Sequence, residues 1–248
     1  MSFVTKLMKK IKGKPPFCSA VIAAAGFSQR MDGTDKLYIE INGAPVIIHT
    51  LIAFQNSSLI SEIIMVTRNS EFEHIIELCK QHGIDKVTKI IAGGPTRLES
   101  VMNGVFSVSK KAKIIAIHDG ARPCVDDGVI ERAVAAAAKY HAVAPAVPVS
   151  STLKKVRDGI VIETVDRTDL YEIQTPQVFT AEIIKAALTN VVDKSIEITD
   201  DCMAAELISV PIYITEGSCN NIKLTTCGDE IIAEAILNSR KAQSANDK

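Results

Sequence analysis

The stretch from Ser19 to Met31 reads as an apolar segment that runs into Ala24-Ala25-Gly26, then Phe27, Ser28, Gln29 and Arg30, with Lys36 five residues beyond Met31. Small residues at the end of an apolar strand let the backbone come close to a ligand, because no side chain holds it away. Arg30 and Lys36 add positive charge beside that backbone. Exposed N–H groups with nearby fixed cations describe a site for a polyphosphate. Neither common phosphate-loop pattern occurs, since Gly26 stands without the partners that G-x-G-x-x-G or G-x-x-x-x-G-K-[ST] would need. The same residues would also suit an ordinary strand end with solvated cations.

Two further clusters have chemistry to offer. Gly93-Gly94-Pro95 is followed by Arg97 and, one turn on, Ser100. His118-Asp119-Gly120-Ala121-Arg122-Pro123 places a carboxylate beside glycine and arginine. Asp119 suits Mg²⁺, a hard cation that favours carboxylate and phosphate oxygens together. It equally suits a turn or a helix cap.

Strand-like and helix-like segments alternate around these clusters. Ser19–Ala25, Ile63–Thr67, Val87–Ile91 and Lys113–Ile117 predict strands, and Pro45–Asn56, Phe72–His82 and Arg97–Ser107 predict helices. Gly83 marks the end of the second helix. Continuous apolar strands separated by helices predict a parallel sheet covered on both faces, an α/β fold. Ligands of such sheets bind beyond the carboxyl ends of the strands, and the clusters at Gly26, Gly93 and His118 all follow strands. The pattern changes after Tyr140. Ala144–Val149 is extended and proline-bearing, and Ser150–Lys155 with Ile160–Val165 predicts a hairpin around Asp158-Gly159. A hairpin of this length does not bury both of its faces alone, so a projecting arm of about 148–172 that packs against a second copy is the expectation.

At 248 residues and 47% hydrophobic content the chain suits one large domain, over about 17–240. A net charge of -1 argues against a general nucleic-acid binder, whose surface is strongly basic. No apolar run approaches the roughly 18 residues of a membrane helix. Residues 1–16 carry Lys6, Lys9, Lys10, Lys12 and Lys14 among helically spaced apolar residues, and read as a basic extension; 241–248 read as a polar tail. No signal peptide is expected. The six cysteines show no metal-ligand spacing and are expected as buried thiols of a reducing cytoplasm.

From Ser19 to Ile236 the sequence resembles the cytidylyltransferases of the non-mevalonate isoprenoid pathway, which join CTP to 2-C-methyl-D-erythritol 4-phosphate. The resemblance rests on the motifs beginning at Ala24, Gly93 and His118. It continues in Pro148–Lys154, Thr164–Arg167, Gln174-Thr-Pro-Gln177, Ile198-Thr-Asp200 and Asn221–Thr225. It implies a Rossmann-like, mostly parallel sheet and a homodimer joined through the arm. It implies that Arg30, Lys36 and Lys223 serve catalysis, that Ala24, Ala25, Gly26, Gly94, Ser100, Asp119 and Gly120 surround the nucleotide, and that Asp119 lies by Mg²⁺ or another divalent cation. Arg122, Thr152, Arg167, Thr175, Thr199 and Asn220 would face the acceptor, with Thr152 and Arg167 reaching the neighbouring subunit's site.

The reaction so implied needs little proton transfer. A phosphate monoester has a second pKa near ~6, so the attacking oxygen is already an anion at neutral pH. Cations that gather like-charged groups and stabilise the crowded phosphorus are what it requires. The sequence departs from the family pattern at Asn220, where aspartate is usual, and in Thr34-Asp35-Lys36-Leu37, where Pro-Lys-Gln is common. A ribitol 5-phosphate cytidylyltransferase and a non-catalytic nucleotide-binding relative are the alternatives.

Overall fold

The computed structural model describes residues 15–26 and 35–246. Arg30 and the lysine-rich segment through Lys14 therefore lie outside the described residues, as do Asp247 and Lys248 of the expected tail.

The four strands predicted ahead of Tyr140 form where the apolar runs place them, with bounds shifted by at most two residues, and further strands join them. In chain order they are β1 (Cys18–Ala23), β2 (Glu40–Ile41), β3 (Ala44–Pro45), β4 (Glu62–Thr67), β5 (Val87–Ala92) and β6 (Ile114–Asp119). There follow β7 (Ala142–Pro148), β8 (Lys154–Arg157), β9 (Ile160–Thr164), β10 (Tyr171–Ile173), β11 (Gln177–Thr180) and β12 (Tyr213–Glu216). The helices are α1 (Val46–Asn56), α2 (Phe72–Gln81), α3 (Arg97–Ser107), α4 (Asp127–Tyr140), α5 (Ala181–Asp193), α6 (Asp201–Glu206) and α7 (Asp229–Asn246). The expected tail thus continues α7 as far as Asn246.

Among the described residues the central sheet runs β10-β7-β11-β6-β1-β4-β5, with β12 alongside β7. The half containing β6, β1, β4 and β5 is wholly parallel. On the other side β11 runs antiparallel to both β6 and β7, and β10 antiparallel to β7.

Alternation along the strands divides the core. Ala20, Ile22, Ile63, Met65, Ile114 and Ala116 face a layer containing α1 and α4, including Leu51, Phe54 and Val129. Val21, Ile64, Val66, Ile115 and Ile117 face the opposite layer, with Val101 and Val105 of α3 and Leu188 of α5. The middle residues of β1, β4 and β6 are apolar on both sides because both faces are covered, and that is why the sequence shows unbroken runs there rather than alternation.

Helix α3 has a well-defined start. Thr96 caps it by accepting from the Glu99 N–H, and Glu99 returns a bond to the Thr96 N–H at 2.8 Å, a reciprocal capping box.

Strands β8 and β9 form a separate two-stranded sheet whose residues are all exposed. Its turn is the expected one, with φ of 50° at Asp158 and 78° at Gly159, the left-handed pair that Asp-Gly supplies. Near the ends of the expected arm of about 148–172, Pro148 pairs with Tyr171 and Val147 with Glu172 at the edge of the central sheet.

Candidate active site

Strand β1 lies between β6 and β4; the chain leaves β1 toward β4 and leaves β6 toward β7, away from each other along the sheet, and a crevice opens beyond their carboxyl ends. A cavity of about 360 Å³ occupies that crevice. It is lined by Ala24, Ala25 and Gly26 after β1, Arg68 after β4, Gly93 to Arg97 and Ser100 after β5, and Asp119, Gly120 and Ala121 at the end of β6. Lys36 and Leu37 enter from one side and Lys223 from the other. The clusters singled out in the sequence therefore meet.

Backbone bonds fix the rim. The N–H of Ala24 donates to Val66 O at 2.8 Å, that of Gly93 to Thr67 O at 2.9 Å, and that of Gly120 to Ala23 O at 2.9 Å. The strand ends are so close that side chains have no room. A Cβ on Gly93 would stand 2.1 Å from the Ala25 Cβ and 2.8 Å from the Ser100 Oγ. Ser100, expected beside the nucleotide, also shapes this turn: its hydroxyl accepts from the Gly94 N–H at 3.1 Å and donates to Thr96 O at 2.9 Å.

His118 and Asp119 lie inside β6 rather than after it, a correction to the predicted strand end. The reason is pairing, since His118 is opposite Ile22 and Asp119 opposite Ala23 of β1. This places the carboxylate at the strand's last position, facing the cavity.

Three cations surround Asp119: Lys223 Nζ at 2.9 Å, Arg122 Nε at 3.4 Å and Arg97 Nη2 at 3.7 Å. Burial by itself would raise the Asp119 carboxyl, but Lys223, then Arg97 and Arg122, hold it well below the usual carboxylate range. It is an anion at any physiological pH. Arg97 is in turn gripped by the fully buried Asp201, with Nη1 at 3.2 Å and Nη2 at 2.8 Å from its two oxygens, a bidentate pair. Burial opposes the guanidinium charge, but Asp201 more than compensates and raises Arg97 above its ordinary value. Asp201 is placed by Gln177, whose side-chain oxygen accepts from the N–H groups of Asp201 and Cys202, each at 3.0 Å.

A second layer supports Asp119 from behind. Thr175 is buried; its hydroxyl accepts from the Asp119 N–H at 3.2 Å and is 2.9 Å from His118 Nδ1. Burial pushes His118 down to about 3, so the ring is neutral. With Thr175 donating to Nδ1, the ring proton sits on Nε2, which faces Arg122 O at 3.4 Å.

The expected acceptor residues are distributed differently from the expected nucleotide residues. Arg122, Thr152, Arg167, Thr175, Thr199 and Asn220 do not line the cavity. Thr175 is behind Asp119, and Arg122 donates from Nη1 to Asn221 O at 2.7 Å. Thr199 lies ahead of α6, and Asn220 is exposed on the loop leading to Lys223. Thr152 and Arg167 are exposed at the base of the hairpin, where Arg167 donates to Ser150 O.

Sequence reasoning misses Arg68 and Asp201, because neither lies in a glycine-rich cluster. It places Arg97 in the Gly93 cluster but gives it no role, although a place one position past the cap of α3 is a usable signal. The expectation of six buried thiols is corrected: Cys18, Cys79, Cys124 and Cys202 are buried, but Cys219 and Cys227 are exposed. They lie in irregular chain on either side of Lys223, where no layer covers them.

A doubly wound sheet with a small-residue cradle at its switch point, one carboxylate and several cations defines a nucleotidyltransferase. The chain belongs to the IspD family, 2-C-methyl-D-erythritol 4-phosphate cytidylyltransferase, whose model matches residues 18–239. The enzyme of that name from Halalkalibacterium halodurans is 40% identical over 88% of this chain and 96% of its own length. The one from Syntrophus aciditrophicus is 38% identical over 92% of this chain and 99% of its own. Among solved structures, 4-diphosphocytidyl-2C-methyl-D-erythritol synthase from Anaerococcus prevotii superposes with a TM-score of 0.79 at 29% identity, covering 90% of this chain and 97% of its own.

Proposed function

We propose that this chain transfers CMP from CTP to 2-C-methyl-D-erythritol 4-phosphate, releasing pyrophosphate, with the β1–β6 crevice as its active site. The observation that carries the reading is the Asp119–Lys223 pair at 2.9 Å on the wall of a cavity otherwise cradled by glycine, alanine and serine.

In this reading the acceptor phosphate oxygen attacks the α-phosphorus of CTP, a new P–O–P link forms, and the bond to the β-phosphate breaks. Ala24 to Gly26 and Gly93-Gly94 admit the nucleotide to the backbone, while Lys36 and Lys223 neutralise the charge that builds on the phosphorus and leaving group. Arg30 is assigned the same work from the sequence motif. Asp119 orients Lys223, and the buried Asp201 holds Arg97 on the cavity wall. Thr175 and His118 fix Asp119 and exchange no proton with substrate.

A divalent cation fits the donor set as a substrate-borne ion. Among the described residues there is no group of three His, Cys, Asp or Glu suited to holding a metal without substrate. Asp119 offers one permanently ionised carboxylate, and Mg²⁺ is commonly bound by one or two carboxylates together with substrate phosphates. Bound there, the metal would withdraw charge from the triphosphate.

The hairpin exposes Val156, Ile160, Val161 and Ile162, at 55%, 70%, 55% and 52%. Such an apolar surface favours a homodimer in which Thr152 and Arg167 serve the partner's acceptor site. Exposed free thiols at Cys219 and Cys227 suit a reducing cytoplasm. No described helix is long and apolar enough to cross a membrane.

The deciding experiment is pyrophosphate release with CTP and Mg²⁺ in the presence of methylerythritol 4-phosphate, of ribitol 5-phosphate, or of neither. Release with methylerythritol phosphate alone is expected. Preference for ribitol phosphate, or CTP binding with no release, would overturn the assignment.

A further inference from the structure

Lys36 reaches the cavity from a 3-10 turn of three residues, Lys36–Tyr38. So short a turn has no stability of its own. The Asp35 side chain caps it by accepting from the Leu37 N–H at 3.1 Å, and Leu37 is buried at 4% exposure. An apolar plug holds the turn against the core but leaves the direction of its neighbours open.

That direction is set from the end of β4. Arg68, which follows the last residue of that strand and lines the cavity, donates from Nη2 to Asp35 Oδ2. The same nitrogen lies 3.5 Å from Glu71 Oε1. Glu71 in turn takes a hydrogen bond from the Tyr38 hydroxyl, and the Tyr38 ring leans on His74 with centroids 5.1 Å apart. The lysine is therefore bracketed, one residue before and two residues after, by side chains fastened to the β4–α2 connection. Arg68 and Asp35 side chains are only 17% and 18% exposed, so this pair is not a solvated surface contact of negligible worth.

The charge balance points the same way. A carboxylate next to a lysine that must bind polyphosphate would repel the ligand, and the guanidinium cancels it.

We propose that Arg68 is a positioning residue for Lys36: by gripping Asp35 it fixes the turn that aims the lysine into the cavity and masks the Asp35 charge from the incoming nucleotide. The inference rests on the reading of Lys36 as a polyphosphate-binding group, and it adds a residue from a different strand to that group's support. Small misplacement of a charged group at a phosphoryl-transfer site costs up to about a hundredfold in rate.

The test is a double-mutant cycle on Lys36→Ala and Arg68→Ala, scored by kcat/KM for CTP and by KM for the acceptor, with thermal melts to show that each variant folds. Arg68→Ala should lower kcat/KM for CTP about ten- to hundredfold, with the acceptor KM within about twofold of wild type. In the Lys36→Ala background the same change should cost less than about threefold, because the group it positions is gone. Asp35→Asn added to Arg68→Ala should restore part of the loss by removing the unmasked charge. Full additivity on a slow Lys36→Ala enzyme would overturn the role of Arg68 and leave that of Lys36 standing. Wild-type turnover in Lys36→Ala would instead remove the lysine from the mechanism and the proposal with it.

Discussion

Lys223 Nζ lies 2.9 Å from Asp119 Oδ2, joining the loop before α7 to the last residue of β6 on the wall of the cavity. Each residue fixes the other: without the lysine the carboxylate would keep only Arg97 and Arg122, and without the carboxylate the half-exposed lysine would lose its anchor at the cavity.

Removing the lysine should therefore be a kinetic lesion. Lys223→Ala is expected to lower kcat by about 10²–10³, with a smaller fall in melting temperature than Arg97→Ala because Arg97 and Arg122 still flank the buried Asp119. Pyrophosphate release at saturating substrates measures it, and turnover within twofold of wild type would exclude Lys223 from the chemistry.

Thr175→Val tests the layer behind Asp119. The change keeps the volume but leaves the Asp119 N–H and His118 Nδ1 without their shared partner. A destabilisation of about 1–3 kcal/mol is expected, with a fall in kcat larger than the change in acceptor KM. Urea titrations and steady-state kinetics on the same preparation separate the two, and an acceptor KM effect alone would return Thr175 to the substrate pocket.

The neutral His118 predicts acid sensitivity. Its folded value, pushed down to about 3 by burial, lies below the ordinary value of 6.5. The unfolded chain therefore binds the proton more readily, so stability is full above about pH 6.5 and is lost as pH falls towards 3. Asp119 adds to this only below about pH 4, where the unfolded carboxyl begins to protonate and the folded one does not. Denaturation midpoints from pH 8 to 4 should fall below pH 6.5, and the slope should flatten in His118→Asn. An unchanged slope would place the acid-sensitive group elsewhere.

At the cradle, Gly93→Ala inserts a Cβ at 2.1 Å from the Ala25 Cβ, where backbone and not a flexible chain must yield. The dissociation constant for CTP should rise about tenfold or more, the equivalent of at least about 1.4 kcal/mol. Calorimetric titration measures it, and unaltered binding would move the nucleotide away from the β1–β5 contact.

Arg97→Ala should be costly for a different reason. It leaves the fully buried Asp201 unpaired, a loss of about 3 kcal/mol, at the low end for buried pairs because the arginine side chain is 35% exposed. Asp201→Asn in the same chain should recover part of the stability in thermal melts. No recovery would show that packing, and not charge, is what Arg97 supplies.

Much of this was legible in the sequence. Unbroken apolar runs such as Ile63–Thr67 and Lys113–Ile117 require a sheet covered on both faces, and the small residues at Ala24–Gly26 and Gly93-Gly94 mark where backbone must approach a ligand. Both are local properties, because the apolar character of a strand's side chains and a glycine's lack of a side chain belong to the residues themselves. Asp158-Gly159 specified its turn for the same reason. The tertiary structure alone decided that His118 and Asp119 are the last residues of β6, since their pairing with Ile22 and Ala23 depends on a strand far earlier in the chain. It alone brought Arg68 to Asp35, Asp201 to Arg97 and Lys223 to Asp119, and it set Thr175 behind the site. Charges pair through space at a few ångströms, and no periodicity along the chain records which distant charge will arrive there.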